Sequence, residues 1–515
     1  MDLLIIYQKA IFYILYMLLF SIIILLIINF RKIISQFNKI SKKTWIRLSL
    51  IFIIGFILRI FIFPHFHIMY IDEPWYLEMA KNFNQKQEPV ICEYVDFNIE
   101  KCFLPFKPPA WPFLISIVQI FFGLGSYAPI FFNGIVGSLT VCLIFFVSYV
   151  FFRNENVALW SALLLSLTPL HILWSNSAET NNVSVFFVLL AILLFLYSLK
   201  VRSLFSYLLL VIMLFFTFLI RFENLILFPV FILGYLLYIS KNSNNKFLQL
   251  FDAIYPLIII IMLSLMIFFE SIFIKFLRLY IVSFDSYFLN VLPFIKSIGV
   301  VILMLGLLNL IFFRKKDNFS INFLFLIFIF YFLFYLPLFT ELEQRMVLIP
   351  LIILILLLPN IIEYVFLQLK KYSNFFIIIM VILFFILFYF QLTQGYENTF
   401  NKYDIQMFET QTVIKIKQTI PANSVIITYY PTVIHSVSNM KSFSTIFALN
   451  NLKIINQIKI NHSVYFFYDG FCTNKKIAYS PNSAEYCNEL LNNFKFTVVK
   501  QFNYTDTEFF LYEMR

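Results

Sequence analysis

Asp72 and Glu73 stand side by side in MYIDEPWYLEMAKNF, and Lys107 precedes a double proline in FKPPAWP, in the same polar stretch. A carboxylate so placed can take a proton from a hydroxyl, and a lysine can hold a phosphate as a point charge. Three other short polar breaks repeat these residue types: Glu179 in WSNSAETNN, Arg221 and Glu223 in RFEN, and Glu341, Glu343 and Arg345 in ELEQRMVLIP. Arginine grips phosphate through two parallel N–H bonds, so Arg221 and Arg345 join Lys107 as candidate phosphate ligands. Tyr76, Trp111 and Glu343 are candidates for contact with a sugar or an acceptor.

The elements that must hold these residues are apolar helices. The 515-residue chain is 61% hydrophobic and 13% charged, against about 25% charged in a soluble protein. Runs of bilayer-crossing length recur along it, whereas a β-barrel would alternate in ten-residue segments. We read a polytopic α-helical membrane protein with about twelve spans, near 10–30, 48–64, 127–151, 157–174, 182–199, 203–220, 224–240, 253–270, 296–313, 320–339, 346–366 and 375–392. The net charge of +11 sits between these runs as an orientation signal, which argues against a nucleic-acid partner.

Alternate loops are basic: Arg31 to Arg47, Arg153, Lys200 with Arg202, Lys241 with Lys246, Arg314 to Lys316, and Lys370 with Lys371. The loops between them hold Asp72, Glu73, Glu179, Glu223, Glu341 and Glu343. The positive-inside rule then puts both termini and all the acidic breaks outside the cytoplasm of a multi-pass membrane protein. Residues 1–394 form the membrane domain, with 65–125 as its first outer loop and 110–124 expected to lie along the membrane surface. From about 395 the composition changes, and short β-like runs at 425–430, 463–469, 496–502 and 508–514 alternate with helical stretches near 403–419 and 483–494. This predicts a small extracytoplasmic α/β domain over 395–515. Cys92 and Cys102 share the first loop and Cys472 and Cys487 the terminal domain, two pairs expected to be disulfides in an oxidising compartment.

One acidic break could be an anchor. Several on one face, at a depth where charge is costly, predict a polar cavity at the outer interface. A lipid-linked phosphosugar needs such a cavity: cations at headgroup level, a tail groove between helices, and a carboxylate for the acceptor hydroxyl. Asp72 is the expected base, with Glu73 orienting its surroundings. His65 and His67 flank the loop, and His171 reads as a hydrogen-bonded helix-end residue. A divalent metal on Asp72 and Glu179 is the one cofactor the pattern leaves open.

These residues, in order, resemble the GT-C glycosyltransferase superfamily. The resemblance is carried by a span ending near Arg59, the Asp72-Glu73 pair with a following tyrosine, Lys107-Pro108-Pro109, the APIFFNGIVGSLTV span, and ALLLSLTPLHILWSNSAETNN, with RFEN and QRMVLIPLI as further matches. It covers about residues 48–366 and is similar to the dolichyl-phosphate-mannose–protein mannosyltransferases and the lipid A aminoarabinose transferases. It implies a GT-C-like fold and inverting sugar transfer from a polyprenyl (dolichyl) phosphate to a protein, lipid or glycan acceptor. It also implies Asp72 in catalysis, Glu179 as assisting acid or metal ligand, and Lys107, with Arg345 less closely, at the donor phosphate. The chain departs from the pattern in an extra N-terminal span, in Glu179 where relatives often carry Asp, and in a short terminal domain without lectin-like repeats. A flippase of lipid-linked saccharides and a non-catalytic subunit of the same fold are the competing readings. A transporter would place its charges near the midplane.

Overall fold

The structure is a computed structural model and describes residues 2–67, 72–96, 99–105, 107–123, 127–242, 319–335, 344–368, 408–473, 483–504 and 507–515. Helix α1 (Asp2–Ser35) and α2 (Lys42–Ile57) are followed by a π-helical turn, Leu58–Ile62, which ends the second apolar run. The stretch before the next long helix then folds as α3 (Glu73–Lys86), a hairpin of β1 (Ile91–Asp96) and β2 (Ile99–Phe103), and α4 (Ala110–Phe122). The membrane domain continues with α5 (Tyr127–Phe152), α6 (Glu155–Leu167), α7 (Pro169–Ser175), α8 (Thr180–Val201), α9 (Leu204–Ile220), α10 (Leu227–Asn242), α11 (Phe319–Tyr335) and α12 (Leu348–Gln368).

Among the described residues, four helices are long and apolar enough to cross a membrane, Lys9–Ser35, Lys42–Ile62, Tyr127–Phe152 and Thr180–Val201. The bent pair α6 and α7 makes a fifth, and shorter apolar helices add to the bundle. The spans expected at 253–270, 296–313 and 375–392, and the loop between the first two, lie outside the described residues, so the count of twelve is not reached here.

Two expectations are corrected. The span at 157–174 is broken, with α6 and α7 meeting at 60°. Pro169 lacks an N–H, and the residue before it, Thr168, is pushed to extended backbone (φ −68, ψ 114). The carbonyls freed at the break are taken by Arg59, whose guanidinium donates to Leu165 O and Ser166 O, both at 3.1 Å. The second concerns α4, expected as a surface helix, whose N-terminal half is buried among other helices. Its first turns are sealed against α3, α5 and α9, and only its last residues, such as Phe121 at 76% exposure, face outward.

The terminal domain is the expected α/β unit, and its sheet has the order β4-β3-β5-β7-β6. The strands are β3 (Val425–Thr428), β4 (Lys441–Ser444), β5 (Val464–Tyr468), β6 (Phe496–Tyr504) and β7 (Thr507–Met514). β4 was not legible as a strand. β3 is parallel to β4 and β5, while β7 is antiparallel to β5 and β6. Alternation along β3 and β5 divides the core. Val425, Ile427, Val464 and Phe466 face one side, and Ile426, Tyr465 and Phe467 the other. Helix α13 (408–419) covers the second face. Both disulfides form as paired in the sequence, Cys92–Cys102 tying β1 to β2 and Cys472–Cys487 lying in the first core.

This domain is docked on α3 and the β1–β2 hairpin. His435, on α14 (Pro431–Ser438), bonds Glu78 of α3 at 2.9 Å, and Lys81 donates to Asn439. Tyr94 of the hairpin meets His435 and Phe443 edge-on, with Lys441 over its ring.

Candidate active site

Asp72 caps the N-terminus of α3, where its C=O accepts from the N–H groups of Trp75 and Tyr76 while its carboxylate makes no capping bond. The helix end favours negative charge there. The carboxylate accepts from Lys107 Nζ, which also lies 5.3 Å from the centre of the Trp75 ring. Lys107 reaches this point because its loop returns past α3 before the double proline starts α4.

Behind the pair is a sealed shell. Glu73 Oε1 is paired with His67 Nδ1, and its Oε2 accepts from the Ala178 N–H at 3.1 Å. Glu179 Oε1 accepts from the Asp72 N–H at 3.2 Å. The structure thus unites the three predicted acids and Lys107 around one turn, 176–179, between α7 and α8. Exposure separates them: the Lys107 and Asp72 side chains are 23% and 20% exposed, whereas Glu73 and Glu179 are both at 0%.

The other candidates fall elsewhere. Tyr76 and Trp111 are buried, so neither presents a ring face to a sugar. Trp111 is instead a strut: its Nε1 donates to Ala178 O at 2.7 Å and its ring stacks on Phe132. Arg221 is engaged by Glu223, at 2.6 Å, and by the Asn181 side chain. Glu343 and the Arg345 side chain lie outside the described residues. His171 accepts from Arg59 Nη2 at 2.8 Å, the hydrogen-bonded helix-end role expected of it. Burial holds the His65 imidazole below its ordinary range.

A divalent ion does not fit these residues. Among the described residues no three His, Cys, Asp or Glu side chains are placed to hold a metal. Asp72 already faces an ammonium, and Glu179 faces a backbone N–H. No step below passes through a metal.

Sequence reasoning missed the amides. Asn133, Asn181 and Asn182 are all buried within or beside spans and bonded about the turn or Arg221. The signal was present, because an amide inside an apolar run is costly unless it has partners.

Residues 106–273 match the family model described as dolichyl-phosphate-mannose-protein mannosyltransferase. Comparison with curated protein sequences gives no match. Among solved structures, an oligosaccharyltransferase from Archaeoglobus fulgidus in complex with Zn and sulfate aligns with TM-score 0.57 at 14% identity, over 90% of this chain and 72% of that one. The archaeal oligosaccharyltransferase AglB, with an inhibitory peptide and a dolichol-phosphate, aligns with TM-score 0.57 at 12% identity, over 91% and 74%. ArnT from Cupriavidus metallidurans bound to undecaprenyl phosphate aligns with TM-score 0.57 at 10% identity, over 92% of this chain and 98% of that one.

Proposed function

We propose, from the premise that this chain has the fold of the GT-C membrane glycosyltransferases, that it transfers a sugar from a polyprenyl phosphate to an acceptor hydroxyl outside the cytoplasm. The observation that carries the reading is the exposure difference at the 176–179 turn. Asp72 and Lys107 are partly open, whereas the neighbouring acids are closed and already bonded. A base and a phosphate cation must be reachable, and the residues that hold them need not be.

In this reading the donor phosphate draws Lys107 Nζ away from Asp72 and leaves the carboxylate free to accept a proton. The Asp72 carboxylate takes the proton of the acceptor hydroxyl. The acceptor oxygen bonds to the anomeric carbon from the face opposite the phosphate, the carbon–phosphate-oxygen bond breaks, and polyprenyl phosphate departs with inversion. Lys107 offsets the charge that grows on the leaving phosphate. Arg221 and Arg345 are secondary phosphate candidates, and the acceptor is a protein, lipid or glycan. Residues 1–394 form the catalytic membrane domain and 395–515 an outer domain beside it, with both termini outside.

The test is transfer of label from dolichyl-phosphate mannose and undecaprenyl-phosphate aminoarabinose by purified full-length chain, with Asp72→Asn alongside. Wild type is expected to release polyprenyl phosphate from one of them, and the variant at least about 100-fold more slowly. Equal rates for the two proteins, or label crossing liposomes without donor cleavage, would refute the transferase reading.

A further inference from the structure

The geometry points to Asn133, on α5, as the positioning residue that fixes the 176–179 turn and, through it, the base; this rests on the reading of Asp72 given above. Asn133 is fully buried, and its side-chain amide donates to three carbonyls of one short segment, Trp174 O at 3.2 Å, Ser177 O at 2.7 Å and Glu179 O at 3.1 Å. Asn182 locks it from the far side, donating through Nδ2 to Asn133 O at 2.9 Å and Oδ1 at 2.8 Å. Gly137, one turn along α5, makes this approach possible, since a Cβ there would lie 2.3 Å from Ser175 Oγ.

Other backbone groups of the turn are also taken by distant elements. Phe66 N–H donates to Asn176 O at 3.0 Å, Trp111 to Ala178 O, and the Ala178 N–H to Glu73. The turn is therefore a hub, and Asn133 holds two of its carbonyls together with that of Trp174 just before it. From the hub the constraint passes outward in two bonds. Glu179 receives the Asp72 N–H, and Ala178 donates to Glu73, the next residue. An amide suits this position because it offers two N–H groups to carbonyls and keeps an acceptor for Asn182. A leucine of similar size offers neither, and the freed carbonyls would have to turn elsewhere. Displacements of about 1 Å at a reacting group can cost on the order of 100-fold in rate.

The experiment compares full-length wild type with Asn133→Leu, Asn133→Asp, Asp72→Asn and Asn29→Leu. Asn29 is a matched control, a buried amide bonded to Tyr197, Leu25 and Phe205 away from the turn. Two readouts are taken, release of dolichyl phosphate from labelled dolichyl-phosphate mannose and deuterium uptake by peptides covering 72–80 and 176–182. We expect Asn133→Leu to lower kcat about 30- to 100-fold with donor KM within threefold, and to raise deuterium uptake in both peptides. In Asn133→Asp the buried carboxyl is held neutral and keeps one O–H donor, so kcat falls between wild type and Leu; this variant carries the test if Leu fails to accumulate. Asn29→Leu is expected to lower stability while leaving kcat and uptake at 72–80 unchanged. The inference is overturned if the Asn133 variants keep kcat within threefold, if uptake at 72–80 does not rise, or if Asn29→Leu behaves like them. An inactive Asp72→Asn beside normal Asn133 variants sinks the positioning role alone. A fully active Asp72→Asn sinks the reading of the base.

Discussion

Glu73 and Glu78 face His67 and His435, whereas Asp469 and Glu409, beneath the terminal sheet, face one another. Both sets of acids are buried, yet they are stabilised differently. Around Asp72 each carboxylate has an imidazole, an ammonium or a backbone N–H directed at it. Asp469 accepts from Thr428 Oγ1 at 2.6 Å and from the N–H groups of Tyr429, Phe471 and Cys472. Even so, burial pushes its carboxyl up to about 6 from an ordinary 3.8. Burial and the Asp469 charge together raise Glu409 well above the ordinary carboxylate range. The first region therefore directs a donor or cation at each carboxylate, whereas in the second burial outweighs the donors and raises the proton affinity of both acids. Local donors alone do not offset burial at Asp469, whereas Asp72 combines a cation with partial access to solvent.

The strongest way to break this contrast is to remove the ammonium. Lys107→Ala is expected to reduce transfer at least about 100-fold, mainly through donor binding, with Lys107→Arg retaining more, measured as kcat/KM for the labelled donor. Next in size is the disulfide beside the second region, since Cys472 supplies an N–H to Asp469. Cys487→Ser opens a link across 15 residues and is expected to cost about 3 kcal/mol, read by chemical unfolding of the terminal domain's signal. The smallest effect comes from Glu409→Gln, which mimics the protonated acid. A carboxyl whose proton affinity is raised by folding contributes fully below the ordinary range near 4, and that contribution is lost as pH climbs through about 6 and beyond. For Asp469 the full swing is about 3 kcal/mol. Wild type should therefore lose melting temperature between pH 4 and pH 7, and Glu409→Gln should show a shallower fall. Parallel curves would show that the pair does not share the titration.

Much of this was legible in residue types. Apolar runs located the described helices, short β-like runs located four of the five terminal strands, and paired cysteines located both disulfides. Asp72, Lys107 and Glu179 were drawn together because charge near a bilayer demands a reason. Other features depend on three-dimensional proximity. Trp111 looked like a surface aromatic because Trp suits interfaces, and only the return of α4 against α5 seals it. The break at Thr168 was concealed because Pro169 sits in an otherwise continuous apolar run. Asn133 reads as one polar letter in a span until the fold places three carbonyls around it. β4 was hidden because Lys441–Ser444 has no apolar alternation and owes its pairing to β3.

Helix α3 has Asp72 at its cap and, a turn and a half further on, Glu78 bonded to the terminal domain. Fourteen residues long, it spans about 20 Å, with Asp72 at one end and the terminal domain bonded near its middle. A chain cut before residue 408 would leave the Glu78 carboxylate without its imidazole.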